Sequence, residues 1–246
     1  MSEFVRPFED ETNHFSLDGD TVGLWINQQG VGHVGLTYVH PETGATRILD
    51  LLGSNRVRDE AMAWRECRKQ YLYAPARLSE LNRKTFPGYL ANVALNAREI
   101  PFGIDWLGSI GSFDIDGFYC PKDGEPGLTC ATFVSEIFRG WAMQVVDETD
   151  WPLNTEEGLR WRTELVASLR RNGKTPEDQI EAIERLDPVV RLSPADIAAA
   201  GTQNSELWPM GSEAVAELAA GVVADFAKAY LPTLPKAAPA TAPPAA

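Results

Sequence analysis

The chain is poor in the residues that carry most disulfide and metal chemistry. Its 246 residues include three cysteines and three histidines. The cysteines, Cys67, Cys120 and Cys130, are odd in number and lack paired spacing, so we expect no disulfide framework. The sequence has no Cys-x-x-Cys pair and no His/Cys cluster, which argues against a structural zinc site. We therefore expect no metal and no other cofactor, and a reducing compartment fits this composition.

Basic residues and long apolar runs are also scarce. Lys and Arg number 22 against 35 Asp and Glu, which gives a formal net charge of -13. Such a surface repels nucleic-acid phosphates and anionic lipid, so we expect neither as the main partner. No apolar run is long enough to span a bilayer, and the acidic N-terminus lacks the apolar segment of a secretory signal. We expect a protein that is cytoplasmic as synthesised and exported only by a route that needs no signal peptide.

Cys130 has the local sequence best suited to a nucleophile. Two prolines and two glycines in residues 121–127 favour an irregular chain before it. Apolar residues then recur near helical spacing at Leu128, Phe133, Val134, Ile137 and Phe138. Thr129 or a neighbour can cap this predicted helix, which places Cys130 in the first turn, where free N–H groups and the helix dipole stabilise a thiolate. The alternative is a small buried residue, the role that most cysteines have.

His33 and Asp50 are the predicted base and its orienting carboxylate. Residues 21–26, 32–39 and 45–52 have strand-like patterns, and a Pro/Gly turn at 40–44 joins the last two into a hairpin. A four-residue loop would set His33 directly across from Asp50, whereas a register two residues away would make the pair diagonal. Both registers place the two side chains on one face. Asp50 also interrupts an apolar run, so a buried position would require a partner. The alternative is two unrelated residues at a sheet surface.

The order of these features resembles the circularly permuted branch of the papain-like NlpC-type cysteine hydrolases. That branch contains the YiiX-like proteins and, more distantly, lecithin:retinol acyltransferase. Its histidine strand precedes its cysteine helix, as Gly-His-Val-Gly-Leu precedes Thr-Cys-Ala-Thr-Phe here. The resemblance spans roughly residues 18–142 and implies Cys130 as nucleophile, His33 as general base and Asp50 as the third residue. It also implies an α+β, papain-like fold in which a small antiparallel sheet packs against the cysteine-bearing helix, with extra C-terminal helices.

The chain departs from the family pattern at two places. Family members commonly have an aromatic residue before the nucleophile, whereas here Thr129 has that place and the aromatic-cysteine pair is Tyr119-Cys120. Cys120 is therefore the rival nucleophile, but a turn follows it and no helix start is predicted there. Asp50 stands where Glu is commoner in the family, and its shorter side chain needs a closer strand pairing to reach His33.

These residues predict thiol acyl transfer through a thioacyl-enzyme intermediate. The N–H of Cys130 would supply one oxyanion donor, and Asn27, Gln28 and Gln29 are candidates for the second, although a polar run of this kind is also typical of a solvated turn. The resemblance favours cleavage of amide bonds in peptide or peptidoglycan. The alternatives are a thioesterase or acyltransferase that acts on lipid acyl groups, and a papain-like binding module without catalysis.

Four regions follow from these patterns. They are a polar leader (1–17), the catalytic domain with a helical middle (18–142), a helical extension packed on the core (143–231) and a disordered Pro/Ala tail (232–246). Helix-start signals in the extension occur near Thr155, Thr175, Ser193 and Ser212. The last predicted helix has an apolar stripe that we expect to dock on the core. Alternatively it mediates self-association or lies on a membrane. Secretion machinery is a further candidate partner.

Overall fold

A computed structural model of the chain describes residues 4, 21–27, 32–52, 55–62, 71–121 and 127–230. Within these residues the protein is α+β, with one five-stranded antiparallel sheet and six α-helices, which confirms the coarse fold class. The predictions for most of the leader and for the tail lie outside the described residues. Phe4, the described residue of the leader, is buried in the main apolar core.

The sheet has the strand order β4-β3-β2-β1-β5, and each neighbouring pair is antiparallel. The strands are β1 (Val22–Asn27), β2 (His33–Val39), β3 (Thr46–Leu51), β4 (Val57–Ala61) and β5 (Tyr71–Pro75). The first three confirm the predicted strands. β4 and β5 were not predicted, whereas the helix predicted near residues 88–99 is present as a helix over Glu80–Asn96. β4 has three consecutive charged residues, so its sequence lacks the alternation that identifies a strand.

Six α-helices follow the sheet in the chain. They are α1 (Glu80–Asn96), α2 (Cys130–Gly140), α3 (Glu156–Asn172), α4 (Glu177–Arg185), α5 (Pro194–Gly201) and α6 (Ser212–Tyr230). The start signals near Thr155 and Ser193 are confirmed, because both side chains accept a hydrogen bond from the first turn of a helix. None of the described helices has the length and apolar character needed to cross a bilayer.

The two faces of the sheet differ in what covers them. One face carries Leu24, Ile26, Val34, Leu36 and Leu49, which lie in the main core together with α2, α5 and α6. Because strand side chains alternate, the other face carries a second set of residues. Trp25, Ile48 and Tyr71 form a small separate apolar cluster there, and His33, Asp50 and Arg58 share that face by register. The sheet thus separates the main core from a more polar layer.

The segment before α2 is held by the chain around Pro101. The N–H of Leu128 donates to the carbonyl of Pro101 (2.8 Å), and the N–H of Gly103 donates to the carbonyl of Leu128 (3.2 Å). Gly127 has a φ of 88°, and a Cβ there would lie 1.8 Å from the Pro101 carbonyl oxygen. Only glycine fits this position, because both its backbone conformation and the close approach exclude a side chain. These contacts fix the entry of the chain into α2.

We expect Gly127→Ala to lower the free energy of unfolding by about 3 kcal/mol or more, because the Pro101 backbone must move. Gly44→Ala is the matched control, since Gly44 also has a positive φ (66°) but no neighbour within 4 Å of its added Cβ. That control should cost about 1 kcal/mol, the strain of the backbone conformation alone. Urea denaturation of both variants measures the difference. Equal costs would show that the contact with Pro101 does not restrain the segment.

Candidate active site

Cys130 is the first residue of α2, and Thr129 caps the helix as predicted. The Thr129 hydroxyl accepts from the N–H of Thr132 (3.1 Å), and the Thr132 hydroxyl accepts from the N–H of Thr129 (2.8 Å). In the described part of the chain, the N–H groups of Cys130 and Ala131 have no hydrogen-bond acceptor. They are therefore free to stabilise negative charge at the start of the helix.

The accessibility of Cys130 contrasts with the burial of the helix that carries it. Residues Ala131 to Phe138 are all buried, whereas Cys130 is partly exposed and its thiol is free. Packing of α2 against β2 and β3 fixes the direction of the helix. The fold thus holds a partly exposed cysteine at the start of a buried helix, whereas the alternative was a fully buried residue.

His33 and Asp50 form a hydrogen-bonded pair. The Nε2 atom of His33 lies 2.7 Å from the Oδ2 atom of Asp50, and Asp50 is completely buried. The direct cross-strand pairing expected for a four-residue loop is wrong. Val39 pairs with Thr46, so residues 40–45 form a longer loop and the register shifts by two residues. His33 and Asp50 are consequently diagonal neighbours on the same face, the second of the two predicted arrangements.

Arg58 joins this pair, and the sequence did not identify it. It lies directly across from Asp50 in the β3–β4 ladder. Its Nε donates to Oδ1 of Asp50 (2.8 Å), and its Nη2 donates to Oδ2 (2.7 Å). Because β4 was not predicted as a strand, nothing in the sequence distinguished Arg58 from the other charged residues around it. The only sequence signal that could have pointed to Arg58 was indirect, because a buried Asp50 needs a cationic partner.

Trp25 and Gly35 shape the surroundings of the pair. The ring centroids of Trp25 and His33 are 5.2 Å apart. A Cβ on Gly35 would lie 2.7 Å from both the Trp25 indole and the Asp50 Cβ. The glycine of the Gly-His-Val-Gly-Leu segment is therefore required for space, because it lets Trp25 and Asp50 approach the same point of β2 from the two flanking strands.

The environment of His33 favours its protonated form. Burial on its own would lower the pKa of His33, but hydrogen bonds to Asp50 and Cys130, together with the charges of both groups, raise it to about 9. The interaction with Cys130 brings the third predicted residue to the pair. Since Nε2 of His33 is engaged by Asp50, Nδ1 is the ring nitrogen left for the thiol. The structure thus brings all three predicted site residues together.

The rival cysteine has a different environment. Cys120 is exposed on an irregular segment, and its Sγ lies 3.8 Å from Oδ2 of Asp114. Slight burial and the negative charge of Asp114 raise the pKa of Cys120, which disfavours a thiolate. In the described part of the chain no histidine hydrogen bond to Cys120 is found. These features argue against Cys120 as the nucleophile, and Cys67 lies outside the described residues.

Two further features border the site. Asn27, one of the candidates for a second oxyanion donor, is buried and lies directly opposite His33 in the β1–β2 ladder. Gln28 and Gln29 lie outside the described residues. A cavity of about 280 Å³ adjoins this end of the sheet. Its walls combine apolar side chains with the charged Glu157 and Arg191, and they include Asn27 and Gly32 but none of Cys130, His33 and Asp50.

No family model, curated protein or solved structure matches the chain. The resemblance to permuted papain-like hydrolases therefore has no support from these comparisons. The functional proposal depends on the residues and on their geometry.

The raised pKa of His33 predicts a stability that depends on pH. The pKa is 6.5 for an ordinary histidine and about 9 in the folded protein, so folding favours the bound proton. The resulting stabilisation is fully present below pH 6.5 and is lost as the pH rises through about 9. We expect the difference in unfolding free energy between the wild type and His33→Gln to shrink across this interval.

Urea denaturation at a series of pH values measures this difference. The matched control is His40→Gln, a substitution in the turn after β2, which should leave the pH dependence of the wild type unchanged. A difference between wild type and His33→Gln that stays constant from pH 6.5 to 9 would contradict the assigned environment of His33.

Proposed function

We propose that the protein is a cysteine hydrolase in which Cys130 is the nucleophile, His33 the general base and Asp50 the residue that orients His33. The observation that supports this most is the meeting of three elements at one point. The start of α2 supplies a partly exposed thiol, β2 supplies an imidazole that interacts with it, and β3 supplies a buried carboxylate 2.7 Å from that imidazole. In a catalytic triad the nucleophile interacts with the base, and the base interacts with the orienting group, which is the arrangement found here.

We also propose that the fold is the permuted papain-like one. The support is the chain order of the site residues, together with the packing of α2 against the antiparallel sheet. His33 comes from a strand that precedes the cysteine helix in sequence, as the resemblance implies. The sheet and α2 then form the catalytic core, and the helices after Gly140 are additions to it.

The mechanism that this arrangement supports is acyl transfer in two steps. His33, whose pKa is raised, holds the proton of Cys130 in a thiolate–imidazolium ion pair, and the thiolate attacks the acyl carbon of the substrate. The N–H of Cys130 donates a hydrogen bond to the oxyanion that forms, and Asn27 is our candidate for a second donor. Protonated His33 then gives its proton to the leaving amine as the tetrahedral intermediate collapses to a thioester. Water, deprotonated by His33, attacks the thioester and releases the acid and the thiol.

The substrate class proposed first is an amide of the peptide or peptidoglycan type. The charge of -13 is compatible with neutral or basic groups around the cleaved bond. One observation favours a second candidate, a thioesterase or acyltransferase that acts on lipid acyl groups. The cavity beside Gly32 has apolar side chains from Ile26, Val222 and Phe226 on its walls, next to the charged Glu157 and Arg191, and its apolar part suits an acyl chain.

The nucleophile is tested by Cys130→Ala against the matched control Cys120→Ala. Hydrolysis is measured on a panel of peptide amides, peptidoglycan fragments and lipid thioesters. We expect Cys130→Ala to lose activity by about 10⁴-fold or more, because no other group can form the acyl-enzyme. Cys120→Ala should retain full activity, since Cys120 lies outside the site.

The outcomes of this panel separate the alternatives. Cleavage of amides but not thioesters supports the peptidase or amidase assignment, and the reverse supports the lipid acyl one. Loss of activity in Cys120→Ala but not in Cys130→Ala would refute the proposed nucleophile. Labelling of Cys130 by iodoacetamide no faster than labelling of Cys120 would indicate a binding module.

A further inference from the structure

The side chain of Asp50 is an anion with no access to water. Its exposed fraction is 0%, and an isolated carboxylate at such a position is strongly disfavoured. His33 compensates this charge only while the imidazole is protonated. A histidine that gives up and takes back a proton in each turnover therefore leaves Asp50 unbalanced for part of the cycle. A permanent cation beside Asp50 removes this difficulty.

Arg58 is that cation, because a guanidinium group stays protonated in proteins. Its two bonds to Asp50 engage both carboxylate oxygens, at 2.8 Å and 2.7 Å. A carboxylate held at both oxygens by one planar fork cannot rotate about its terminal bond. Oδ2 consequently stays within 2.7 Å of Nε2 of His33.

The position of Arg58 is itself fixed by the fold. The residue is 8% exposed and lies in a strand, directly across the ladder from Asp50. Its guanidinium carbon lies 5.8 Å from the ring centroid of Trp25, and the same indole contacts His33. Trp25 thus packs against both groups that bind Asp50. Tyr71, on β5, also interacts with Arg58.

We propose that Arg58 is a positioning residue of the site, which compensates the charge of Asp50 and fixes the orientation in which Asp50 binds His33. The inference rests on the proposed function and adds a fourth residue to it. Arg58 lies behind Asp50 and acts on the reaction only through that carboxylate.

Two effects of Arg58 on His33 have opposite signs. By holding Asp50 in place it favours the imidazolium form, whereas its own positive charge disfavours that form. A purely electrostatic role would make the pKa of His33 rise when Arg58 is removed. The positioning role makes this pKa fall, because the released carboxylate no longer holds its hydrogen bond to the ring. The sign of the shift therefore separates the two roles.

The experiment is an NMR titration of His33 in the wild type and in Arg58→Met, with ¹⁵N-labelled histidine. The chain has three histidines, so the spectrum holds few signals to assign. We expect the pKa of His33 to fall by about one to three units in Arg58→Met. Alkylation of Cys130 by iodoacetamide at neutral pH should slow by about tenfold, the factor that corresponds to one such unit. Arg58→Lys keeps the charge but loses the fork, and it should give an intermediate value.

Arg47→Met is the matched control. Arg47 lies on β3 and also binds a carboxylate of β4 at both oxygens, because its Nε donates to Oδ1 (2.7 Å) and Oδ2 (2.9 Å) of Asp59. That pair lies on the other face of the sheet, so its loss should leave the pKa of His33 and the alkylation rate unchanged. If Arg58→Met and Arg47→Met are destabilised alike but only Arg58→Met changes the titration of His33, the change is an effect on the site and not of lower stability.

The Asp50→Asn background tests whether Arg58 acts through Asp50. There, Arg58→Met should no longer lower the pKa of His33 or slow the alkylation of Cys130, because only the direct effect of the Arg58 charge remains. The double variant lacks the buried anion that Arg58→Met alone leaves uncompensated. We therefore expect the double variant to fold, and its His33 titration can be measured, even if Arg58→Met alone does not fold. An unchanged or raised pKa in folded Arg58→Met or Arg58→Lys overturns the inference. So does an undiminished effect in the Asp50→Asn background.

The histidine titration does not require that Cys130 be catalytic. If Cys130 of the wild type is alkylated no faster than Cys120, the proposed function fails, while the shift of His33 still reports the role of Arg58. If Cys130 is reactive and His33 is insensitive to Arg58, the proposed function stands and the role of Arg58 fails.

Discussion

The buried carboxylate of Asp50 is the constraint that organises the site. An anion without water must be surrounded by donors, and here they come from two different strands, His33 on β2 and Arg58 on β4. β3 must therefore lie between them, and Gly35 must lack a side chain so that Asp50 and Trp25 can approach β2. The neighbouring order β4-β3-β2, the register of these strands and the glycine at position 35 are all needed to compensate this one buried charge.

The cysteine helix meets a different requirement. α2 is buried along most of its length in the apolar core, but its first residue, Cys130, is partly exposed. The Thr129 capping box and the strand-like contact at Pro101 end the irregular segment at one defined residue. The apolar core thus sets the direction of α2, while the cap sets where it starts. The two together place a thiol at the end of the sheet where β2 begins with His33.

Local signals predicted part of this arrangement, and long-range pairing determined the rest. The cap at Thr129 and the first three strands depend on neighbouring residues, and the structure confirms them. The shared face of His33 and Asp50 was also predictable, because a register shift of two residues leaves each side chain on the same face of the sheet. The register itself was not, since the loop length decides it. Arg58 could not be identified, because its partner lies on another strand and its own strand has no apolar alternation.

The C-terminal helices show why periodicity alone gives no function. The pattern of α6 predicted an amphipathic helix that docks on the core, and the structure places Val215, Val222 and Phe226 in the same core as the sheet. α5 packs on β1, where Gly201 lies against Leu24. Opening such a helix like a lid would expose core side chains to water, at a cost that grows with the apolar area. The part of the cavity wall beside Gly32 that Val222 and Phe226 form is therefore held in place by the core itself.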